Sequence, residues 1–436
     1  MPAADLHLVV LAGGNSTRIR TGGPKALLDL CGKPLLAHVL DTLDRLHARH
    51  PGGRRILVLG PVHHSALEAW LRKEGRLAGE GTGGWEIVIQ EEPRGTGDAA
   101  RCALGALPAG GRVLLVCGDT PLLREETLEA LAALPGGGLL SAVEEEPRGY
   151  GRILRDARGG LEAIVEEADC DARTAAIQEV NAGVYCLEAD ALRAACARLG
   201  ADNAQGELYL TDAAVEVLRA SGGGILRLED SGETLGVNTL EDLARVAARR
   251  RAAILRGHMA RGVIVDAPEL TVVEEDVEIG PGARLMPFSV LRRGVRVASG
   301  CVVGPFAHLR AGTVLQERAE IGNFVETKNA ELGAGAKAKH LTYLGDCSVG
   351  AAANIGCGTI TANYDGKRKS RTEIGEEAFI GSGTVLVAPV RVGRAAVTGA
   401  GAVVTRNRDV PDGATVVGVP ARPLKTSAAE AADSED

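Results

Sequence analysis

Two cationic side chains follow a glycine-rich turn near the start of the chain. The apolar run Leu6–Ala12 is typical of a buried parallel strand, and GGNSTRIRTGGPK follows it with Arg18 and Lys25. Glycines let backbone N–H groups approach phosphate oxygens, and the two cations offset negative charge. The segment matches neither a Walker loop nor a GxGxxG fingerprint. A tight turn without function is the plainer interpretation of the glycines, but the spacing of Arg18 and Lys25 favours a triphosphate site.

A single carboxylate follows a later apolar run. Asp119 comes two residues after Val113–Cys117, in the segment Gly118-Asp119-Thr120-Pro121. Mg²⁺ takes few carboxylates from a protein and completes its shell with water and phosphate oxygens. Asp119 is therefore a candidate Mg²⁺ ligand, although an aspartate at such a point is more often a helix or turn cap.

A second pair of cations, Arg310 and Lys328, is separated by eighteen residues. In this part of the chain an aliphatic residue recurs every sixth position, at Val273, Ile279, Leu285, Leu291, Val297, Val303, Leu309, Leu315 and Ile321. A period of six fits neither a helix nor a simple strand and is typical of the hexapeptide parallel β-helix, in which three hexapeptides make one coil. Arg310 and Lys328 should then stack on one face. There they would clamp a phosphate or form only a solvated basic stripe.

The repeat is interrupted where polar residues accumulate. It slips near Thr327, returns at Leu332, Ala338 and Leu344, and is broken again by residues 361–373, which are rich in Lys and Arg. Repeat proteins tend to place function at such insertions. We therefore expect the second site near these interruptions.

The first half of the chain has a different organisation. Predicted strands at Arg55–Gly60, Trp85–Ile89 and Val113–Cys117 alternate with predicted helices, one of which has Pro34 at its first position. This alternation indicates a doubly wound α/β fold, in which ligands gather at the carboxyl ends of the strands. The charged amphipathic segment 239–258 predicts a helix between the two halves, and its arginines 249–251 form a solvated face.

The composition argues against several classes of protein. With 436 residues and a net charge of -8, the chain is long enough for two domains, and nucleic acid or an anionic membrane is a poor partner. Nine cysteines without CxxC spacing favour reduced thiols in the cytoplasm. There is no basic leader, and no apolar run approaches the roughly 20 residues that cross a bilayer. We expect a cytoplasmic protein.

Several motifs resemble those of one enzyme family. Three motifs are similar to the signature of sugar 1-phosphate nucleotidyltransferases: LAGG…TR…PK at residues 11–25, GD-x-P at 118–121 and E-x-Y-x-T-D at 207–212. A fourth, KAKHLTYLGD at 337–346, is similar to an acetyltransferase motif. Together, over residues 6 to about 420, the chain resembles the GlmU family of bifunctional N-acetylglucosamine-1-phosphate uridyltransferases and glucosamine-1-phosphate N-acetyltransferases.

The resemblance implies a fold and a division of the chain. We expect an α/β, Rossmann-like nucleotidyltransferase domain at 1–238, a linker helix at 239–261, a left-handed parallel β-helix with acetyltransferase activity at 262–420, and a flexible tail at 421–436. It also implies a homotrimer. The implied substrates are UTP, N-acetylglucosamine 1-phosphate, glucosamine 1-phosphate and acetyl-CoA, with Mg²⁺ as cofactor.

For uridylyl transfer, the resemblance implies in-line attack of a sugar phosphate on UTP, with Arg18 and Lys25 as catalytic cations. Such a reaction needs alignment and neutralised charge more than acid–base groups. The metal ligands would be Asp119 and Asn238. The implied binding residues for UTP and UDP-N-acetylglucosamine are Leu11, Gly13, Gly14, Lys25, Gln90, Gly95, Thr96, Gly151, Glu166, Asn181 and Asn238.

For acetyl transfer, the resemblance makes His340 the general base, because histidine titrates nearest neutrality. A hydrogen-bonded wall residue is the plainer alternative for a lone histidine. The implied sugar-phosphate residues are Arg310, Lys328, Tyr343 and Asn354, and the implied acetyl-CoA residues are Asn363, Tyr364, Ser382 and Ala400.

Two positions depart from the family pattern. Ala168 stands where bacterial relatives commonly have a lysine, and Gly418 stands where the family often has an arginine that grips CoA. Arg422 or Arg406 could substitute for that arginine. The departures leave open a single-activity nucleotidyltransferase whose β-helix only trimerises, a non-enzymatic scaffold, or a related enzyme with another sugar or acyl donor.

Overall fold

The structure is a computed structural model, and it describes residues 5–14, 19, 22–79 and 83–424. The chain divides into two compact units, Met1–Ala247 and Ala248–Asp436. One long helix, Leu240–Ala260, runs across this division.

The first unit is built on a mixed β-sheet. Its strands are β1 (Leu6–Ala12), β2 (Asp29–Leu30), β3 (Lys33–Pro34), β4 (Arg55–Leu59), β5 (Trp85–Ile89), β6 (Arg112–Cys117), β7 (Gly138–Val143), β8 (Arg152–Arg155), β9 (Leu161–Val165), β10 (Glu179–Glu188) and β11 (Gly224–Arg227). The main order is β11-β7-β10-β6-β1-β4-β5, and β8 and β9 pair beside β10. The central strands are apolar on both faces because helices cover both, as the sequence predicts.

Strand β10 differs from a purely parallel sheet. It runs antiparallel to β6 and β7, while β1, β4, β5 and β6 run parallel. Hydrophobic periodicity predicts that a strand exists but carries no information about its direction. The consequence is that Asn181, near the start of β10, lies at the same edge of the sheet as the carboxyl ends of β1 and β6.

Eight helices belong to the described residues: α1 (Leu35–Arg49), α2 (His64–Lys73), α3 (Thr96–Ala106), α4 (Glu125–Ala132), α5 (Ala172–Ala175), α6 (Ala189–Cys196), α7 (Leu210–Ser221) and α8 (Leu240–Ala260). One expectation about their starts is wrong. Pro34 is the residue before α1 and pairs with Asp29 in a short hairpin. Gly95, with a φ of 109°, precedes α3, so Asp98 lies inside the first turn and is not its cap.

The second unit is a parallel β-helix of short strands. They are β12 (Ile264–Val265), β13 (Val272–Val273), β14 (Glu278–Ile279), β15 (Arg284–Leu285), β16 (Val290–Leu291), β17 (Arg296–Val297), β18 (Val302–Val303), β19 (His308–Leu309), β20 (Val314–Leu315), β21 (Glu320–Leu332), β22 (Lys337–Val349), β23 (Asn354–Ile355), β24 (Ile360–Ala362), β25 (Thr372–Ile374), β26 (Phe379–Ile380), β27 (Val385–Val387), β28 (Val390–Val392), β29 (Val397–Thr398), β30 (Val403–Val404), β31 (Thr415–Val417) and β32 (Arg422–Pro423).

Each strand of the β-helix pairs with the third strand after it over most of its length. Val273 pairs with Leu291 and Ile279 with Val297, so one coil takes eighteen residues. All nine aliphatic positions predicted from the period of six are buried, between 0% and 8% exposed. The prediction of a hexapeptide β-helix is confirmed, because each inward position meets its equivalent in the coils above and below.

The coil length changes where the repeat is interrupted. Leu315 pairs with Leu332, so this coil has seventeen residues, and Val349 pairs with Ile374, a coil of twenty-five residues that contains the loop after β24. Thr327 occupies an inward position with 0% exposure, and its hydroxyl forms a 3.0 Å hydrogen bond with that of Thr313. A buried threonine is tolerated there because its polar atom has a partner.

An aromatic stack outside the core was not predicted. Phe288, Phe306 and Phe324 recur at the coil period and are 45%, 43% and 59% exposed. Their ring centroids are 4.6 Å apart for the first pair and 5.2 Å for the second. Across the described ranges, no helix is both long enough and apolar enough to span a membrane.

Candidate active sites

A small, open cleft lies at the carboxyl ends of β1 and β6. This is the edge at which open α/β sheets bind ligands. Of the residues proposed from the sequence, Leu11, Gly13, Gly14, Lys25 and Asp119 line it, and Ala12, Pro24, Ala26, Gly60, His63, Leu67 and Gly118 complete the lining. Arg18 lies outside the described residues.

Lys25 contacts side-chain oxygens of two residues that are far from it in the sequence. Its Nζ lies 2.6 Å from Asp119 Oδ2 and 3.5 Å from Asn238 Oδ1. The backbone N–H of Val237 also donates to the carbonyl oxygen of Asp119, at 3.0 Å. The fold thus brings together three residues that the sequence spreads over more than two hundred positions.

The same arrangement fits a divalent cation. The ammonium group of Lys25 lies where the oxygens of Asp119 and Asn238 converge, so a positive charge is already balanced at that point. Carboxylate and amide oxygens are suitable ligands for Mg²⁺, which needs only one or two of them. Within the described residues no group of three or more His, Cys, Asp or Glu side chains could hold a metal, so Asp119 and Asn238 are the candidates.

Gln90 lies directly beside the glycine-rich turn. Its Nε2 donates to the carbonyl oxygen of Gly95 at 3.1 Å and to Asp98 Oδ2 at 2.9 Å. Both amide hydrogens are therefore used, and Oε1 points to Gly13, where an added Cβ would lie only 2.9 Å from it. Gln90 can offer this oxygen as an acceptor to a bound base.

Gly95 and Thr96 connect this region to α7. A Cβ on Gly95 would lie 2.6 Å from the carbonyl oxygen of Leu208, so a close approach of the backbone requires glycine here. The hydroxyl of Thr96 accepts a 3.1 Å hydrogen bond from the backbone N–H of Leu210. Thr96 therefore anchors the start of α7 whether or not it also contacts a ligand.

A second group of polar residues surrounds Glu166. The hydroxyl of Thr211 donates to Glu166 Oε1 at 3.0 Å, and Gly151 lies beside the carboxylate, where an added Cβ would be 3.4 Å from Oε2. Asn181 N–H donates to the carbonyl oxygen of Gly151 at 2.8 Å, and Asn181 Nδ2 donates to the hydroxyl of Tyr185 at 2.6 Å. The structure therefore brings Gly151, Glu166 and Asn181 together.

The two groups both lie near one side chain, that of Cys117. Burial raises the pKa of Glu166, and nearby acidic residues raise it further, although the hydrogen bond from Thr211 lowers it. The buried thiol of Cys117 lies close enough to feel both carboxylates: burial, then Asp119 and Glu166, raise its pKa to about 12. A carboxyl group with a raised pKa, such as that of Glu166, is typical of functional sites.

Three cations meet on the β-helix. Lys369 and Arg310 lie so close to Lys328 that their charges and the Lys369 contact lower its pKa. Arg310 is also bound to Glu326, with Nη1 2.8 Å from Oε1. The expected stacking of Arg310 and Lys328 places them one coil apart, since Leu309 pairs with Thr327. These three cations form a candidate anion-binding site, because a bound phosphate would reduce the repulsion between them.

His340 and Tyr343 lie on β22, which pairs with β21. His340 is exposed and stands opposite Asn323, while Tyr343 stands opposite Glu326. Asn354 begins β23 and pairs with Lys337 of β22. His340 and Tyr343 thus lie on one strand and Asn354 lies one coil later. Both coils are near the coil of the cation cluster.

The interrupting loop is fixed at both ends. Asn363 Nδ2 donates to Asp346, and Asn329 Nδ2 donates to the other oxygen of the same carboxylate at 2.7 Å. Asp365 accepts from the backbone N–H groups of residues 367 and 368 and pairs with Arg406 at 3.0 Å. These contacts lower the pKa of Asp365 to about 2. Tyr364, in contrast, is 60% exposed.

Ser382 and Ala400 lie at one corner of successive coils. The backbone N–H of Gly401 donates to the carbonyl oxygen of Ser382 at 2.7 Å, and both residues are exposed. Gly418 follows one coil later, in the turn between β31 and β32, where Val417 pairs with Arg422. Arg406 already binds Asp365 and the carbonyl oxygen of Ala388. Arg422 is exposed, and its hydrogen bond is to Ala421 beside it.

Several site residues were missed by the sequence interpretation. Gly60 and His63 follow β4, so the rule that ligands collect at strand ends would have found them. Thr211 lies in the E-x-Y-x-T-D motif, but no pattern shows that its hydroxyl reaches Glu166. Lys369 was noted only as part of a basic loop, because its distance from Lys328 depends on the loop's path.

Comparisons with known proteins cover both units. Residues 8–157 match the model of the MobA-like NTP transferase domain family. The "Bifunctional protein GlmU" of Mycolicibacterium vanbaalenii is 40% identical over 95% of this chain and 90% of its own length. The protein with the same name from Alkalilimnicola ehrlichii is 42% identical over 94% of this chain and 94% of its own length. The one from Kineococcus radiotolerans is 40% identical over 99% of this chain and 95% of its own length.

This likeness is not confined to the nucleotidyltransferase domain. It extends through the β-helix and includes the regions of the metal-ligand pair, the acidic group around Glu166 and the cation cluster. The chain therefore belongs to the family of bifunctional GlmU proteins.

Proposed function

We propose that this protein makes UDP-N-acetylglucosamine in two steps. Acetyl-CoA first donates its acetyl group to glucosamine 1-phosphate, and UTP then donates its uridylyl group to the resulting N-acetylglucosamine 1-phosphate with release of pyrophosphate. The observation that carries this proposal is the likeness to GlmU proteins through both units. Each unit supplies its own cationic site for a phosphate substrate.

For uridylyl transfer, the glycine-rich turn receives the phosphates of UTP, and Lys25 moves from Asp119 to neutralise the charge that develops on the α-phosphate. Gln90 Oε1 accepts the ring N–H of uracil, since its Nε2 is occupied. Glu166 and Asn181 hold the hydroxyl and N-acetyl groups of the sugar, which aligns its phosphate for in-line attack.

Asp119 and Asn238 hold a divalent cation, and we propose Mg²⁺. The ion supplies positive charge that neutralises phosphate oxygens when the nucleotide is bound. The 2.6 Å contact of Asp119 with Lys25 supports this role, because it holds the carboxylate in one orientation before the substrate arrives.

For acetyl transfer, Arg310, Lys328 and Lys369 bind the phosphate of glucosamine 1-phosphate, and Tyr343 and Asn354 contact the sugar. His340 accepts a proton from the amine as its nitrogen attacks the thioester carbonyl carbon. A C–N bond forms and the C–S bond breaks. The protonated His340 returns its proton to the departing sulfur, so CoA leaves as the thiol. Asn363, Tyr364, Ser382 and Ala400 bind acetyl-CoA. The exposed guanidinium of Arg422, whose hydrogen bond is to the adjacent carbonyl oxygen of Ala421, replaces the arginine absent at Gly418.

The proposed assembly is a homotrimer in the cytoplasm. The support for a trimer is the β-helix with its family likeness, and the support for the location is that UTP and acetyl-CoA are cytoplasmic metabolites. We propose no nucleic-acid or membrane partner, since the net charge is -8.

The experiment is an assay with two separate products. Purified protein is incubated with Mg²⁺, glucosamine 1-phosphate, acetyl-CoA and UTP, and free thiol and pyrophosphate are measured independently. We expect both products from the natural protein and loss of pyrophosphate alone in Asp119→Ala. His340→Ala should release neither product, because it makes no N-acetylglucosamine 1-phosphate for the second step. In the histidine variant, added N-acetylglucosamine 1-phosphate should restore pyrophosphate release. Absence of both products from the natural protein would refute the proposal.

A second candidate function follows from Gly418. If CoA is not held without the arginine, the β-helix serves for assembly and the protein is a uridyltransferase only. That enzyme would release no thiol, but it would release pyrophosphate when N-acetylglucosamine 1-phosphate is supplied.

A further inference from the structure

A buried carboxylate lies between the two loops that carry the metal-ligand candidates. Glu233 is 4% exposed, in the short turn Ser231–Thr234. Its Oε1 accepts from the guanidinium of Arg124, with Nε at 2.7 Å. Its Oε2 accepts from the hydroxyl of Thr127 at 2.7 Å and from the backbone N–H of Arg124 at 3.3 Å. Both oxygens are therefore satisfied by one short segment of the chain.

The segment that contains Arg124 and Thr127 and the turn that contains Glu233 are each close in sequence to one metal-ligand candidate. Arg124 follows Asp119 by five residues, and Glu233 precedes Asn238 by five residues. The two loops also touch at their far ends, where Val237 N–H donates to the carbonyl oxygen of Asp119 at 3.0 Å. The loops are consequently joined at two points, and the distance between Asp119 and Asn238 depends on both.

We propose that Glu233 is a positioning residue that holds Asp119 and Asn238 at the separation needed to bind a divalent cation. The inference rests on the proposed metal-dependent uridylyl transfer. A buried carboxylate is costly unless it is paired and fully hydrogen-bonded, so this one constrains both loops strongly. Groups that orient metal ligands without touching the ion commonly affect metal affinity by about 10- to 100-fold.

The test compares Glu233→Gln with the natural protein. Glutamine keeps the shape, but it replaces one acceptor oxygen with an amide donor facing the donors of Arg124 and Thr127. Titration of the full-length protein with Mn²⁺, followed by the EPR signal of free Mn²⁺, should show a Kd raised about tenfold. The Mg²⁺ concentration for half-maximal pyrophosphate release should rise in parallel. Saturating Mg²⁺ should restore kcat to within about twofold of the natural value, which a general loss of structure would not allow.

Glu125→Gln is the matched control, since Glu125 also pairs with two arginines, Arg45 at 3.2 Å and Arg49 at 2.9 Å, but joins neither ligand loop to the other. Its Mn²⁺ affinity should be unchanged. Tryptophan fluorescence reports whether the first unit of each variant is folded, since Trp70 and Trp85 both lie in that unit. An unchanged Mn²⁺ Kd in a folded Glu233→Gln protein overturns the proposal.

If Glu233→Gln loses the native tryptophan fluorescence, Arg124→Lys decides the question. Arg124 is 62% exposed in its side chain, so this variant should fold, but lysine cannot make both guanidinium contacts. An Mn²⁺ Kd raised about threefold supports the role of Glu233, and an unchanged value refutes it. Because Mn²⁺ binding is measured without substrates, the result is independent of whether the natural protein transfers a uridylyl group.

Discussion

At the scale of the residue, the two sites hold their cations in opposite ways. The charge of Lys25 is already balanced by Asp119, with Asn238 nearby. A triphosphate that binds Lys25 must therefore replace these side-chain oxygens with its own phosphate oxygens. Lys328 instead lies near Lys369 and Arg310, and their charges lower its pKa. A phosphate that enters the second site relieves repulsion. The first site is thereby suited to selecting a metal-bound nucleotide and the second to capturing any small phosphate ester of the right shape.

Glu166 gives a prediction at this scale about stability and pH. Burial is the main cause that raises its pKa in the folded protein, so the folded state keeps this proton to higher pH than the unfolded state does. Stability is therefore lost as pH rises from the ordinary range of a glutamate through the raised pKa. Glu166→Gln removes that loss. We expect the variant to be more stable than the natural protein at neutral pH and to lose this advantage at low pH.

The same variant should bind its sugar less well. Loss of a charged hydrogen-bond acceptor costs about 1.5 to 3 kcal/mol, which corresponds to a KM for N-acetylglucosamine 1-phosphate raised roughly 10- to 100-fold. Urea midpoints measured from pH 4 to 8, together with initial rates, check both effects. Glu162→Gln, on the exposed face of the same strand, is the control. A difference in urea midpoint that does not depend on pH would contradict the assignment of the raised pKa to Glu166.

At the scale of the element, the β-helix is defined by which residue of each short strand points inward. In β15, Leu285 has 0% exposure, while its neighbour Arg284 points outward and binds Asp266 at 3.0 Å. One coil cannot bury its own core, so each inward side chain stabilises three successive layers. The strands are short because one outward residue and one inward residue are enough before the chain turns to the next face of the β-helix.

This contrast gives a paired stability prediction. Leu285→Ala leaves a cavity in a core that cannot easily close, and we expect a loss of about 2 to 5 kcal/mol. Arg284→Ala removes only an exposed ion pair, worth about 0 to 1 kcal/mol. Urea unfolding of both variants at one fixed protein concentration measures the difference, because assembly would make the midpoint depend on concentration. Similar midpoints for the two variants would contradict the inward position of Leu285.

The same elements show how far the sequence could be interpreted. The period of six predicted the inward residues because their burial repeats with every coil. The interruptions near Thr327 and at residues 361–373 were located from the sequence. The coil lengths of seventeen and twenty-five residues appear only once the strands are paired. The stacked phenylalanines were in principle visible, as they recur at the coil period. In the first unit, the contact of Thr211 with Glu166 and the bridge through Glu233 link distant segments, and no local pattern encodes such contacts.

At the scale of the whole molecule, each compact unit contains its own core and its own proposed site. The described cation cluster of the β-helix lies entirely in the second unit, and the cleft with its metal-ligand candidates lies entirely in the first. No side chain needs to serve both reactions. The product of acetyl transfer must then leave one site before it enters the other.

Mixing two defective proteins tests this separation. His340→Ala and Asp119→Ala should each fail to make UDP-N-acetylglucosamine from glucosamine 1-phosphate, acetyl-CoA and UTP. A mixture of the two should make it, after a lag during which free N-acetylglucosamine 1-phosphate accumulates. Chromatography of the sugar phosphates over time would show the lag and the intermediate. A mixture that remains inactive while each remaining half-reaction proceeds would mean that the intermediate passes directly between sites.

The ends of the β-helix limit how the protein can associate. A stack of parallel coils presents unpaired backbone groups at its first and last coil, to which further strands could add without limit. Here Leu255 of α8 is 1% exposed within the core of the β-helix, and at the other end β32 folds back antiparallel on β31. A helix and a reversed strand thus replace the next coil at either end. End-to-end polymerisation into fibres is blocked by the same segments that begin and finish the fold.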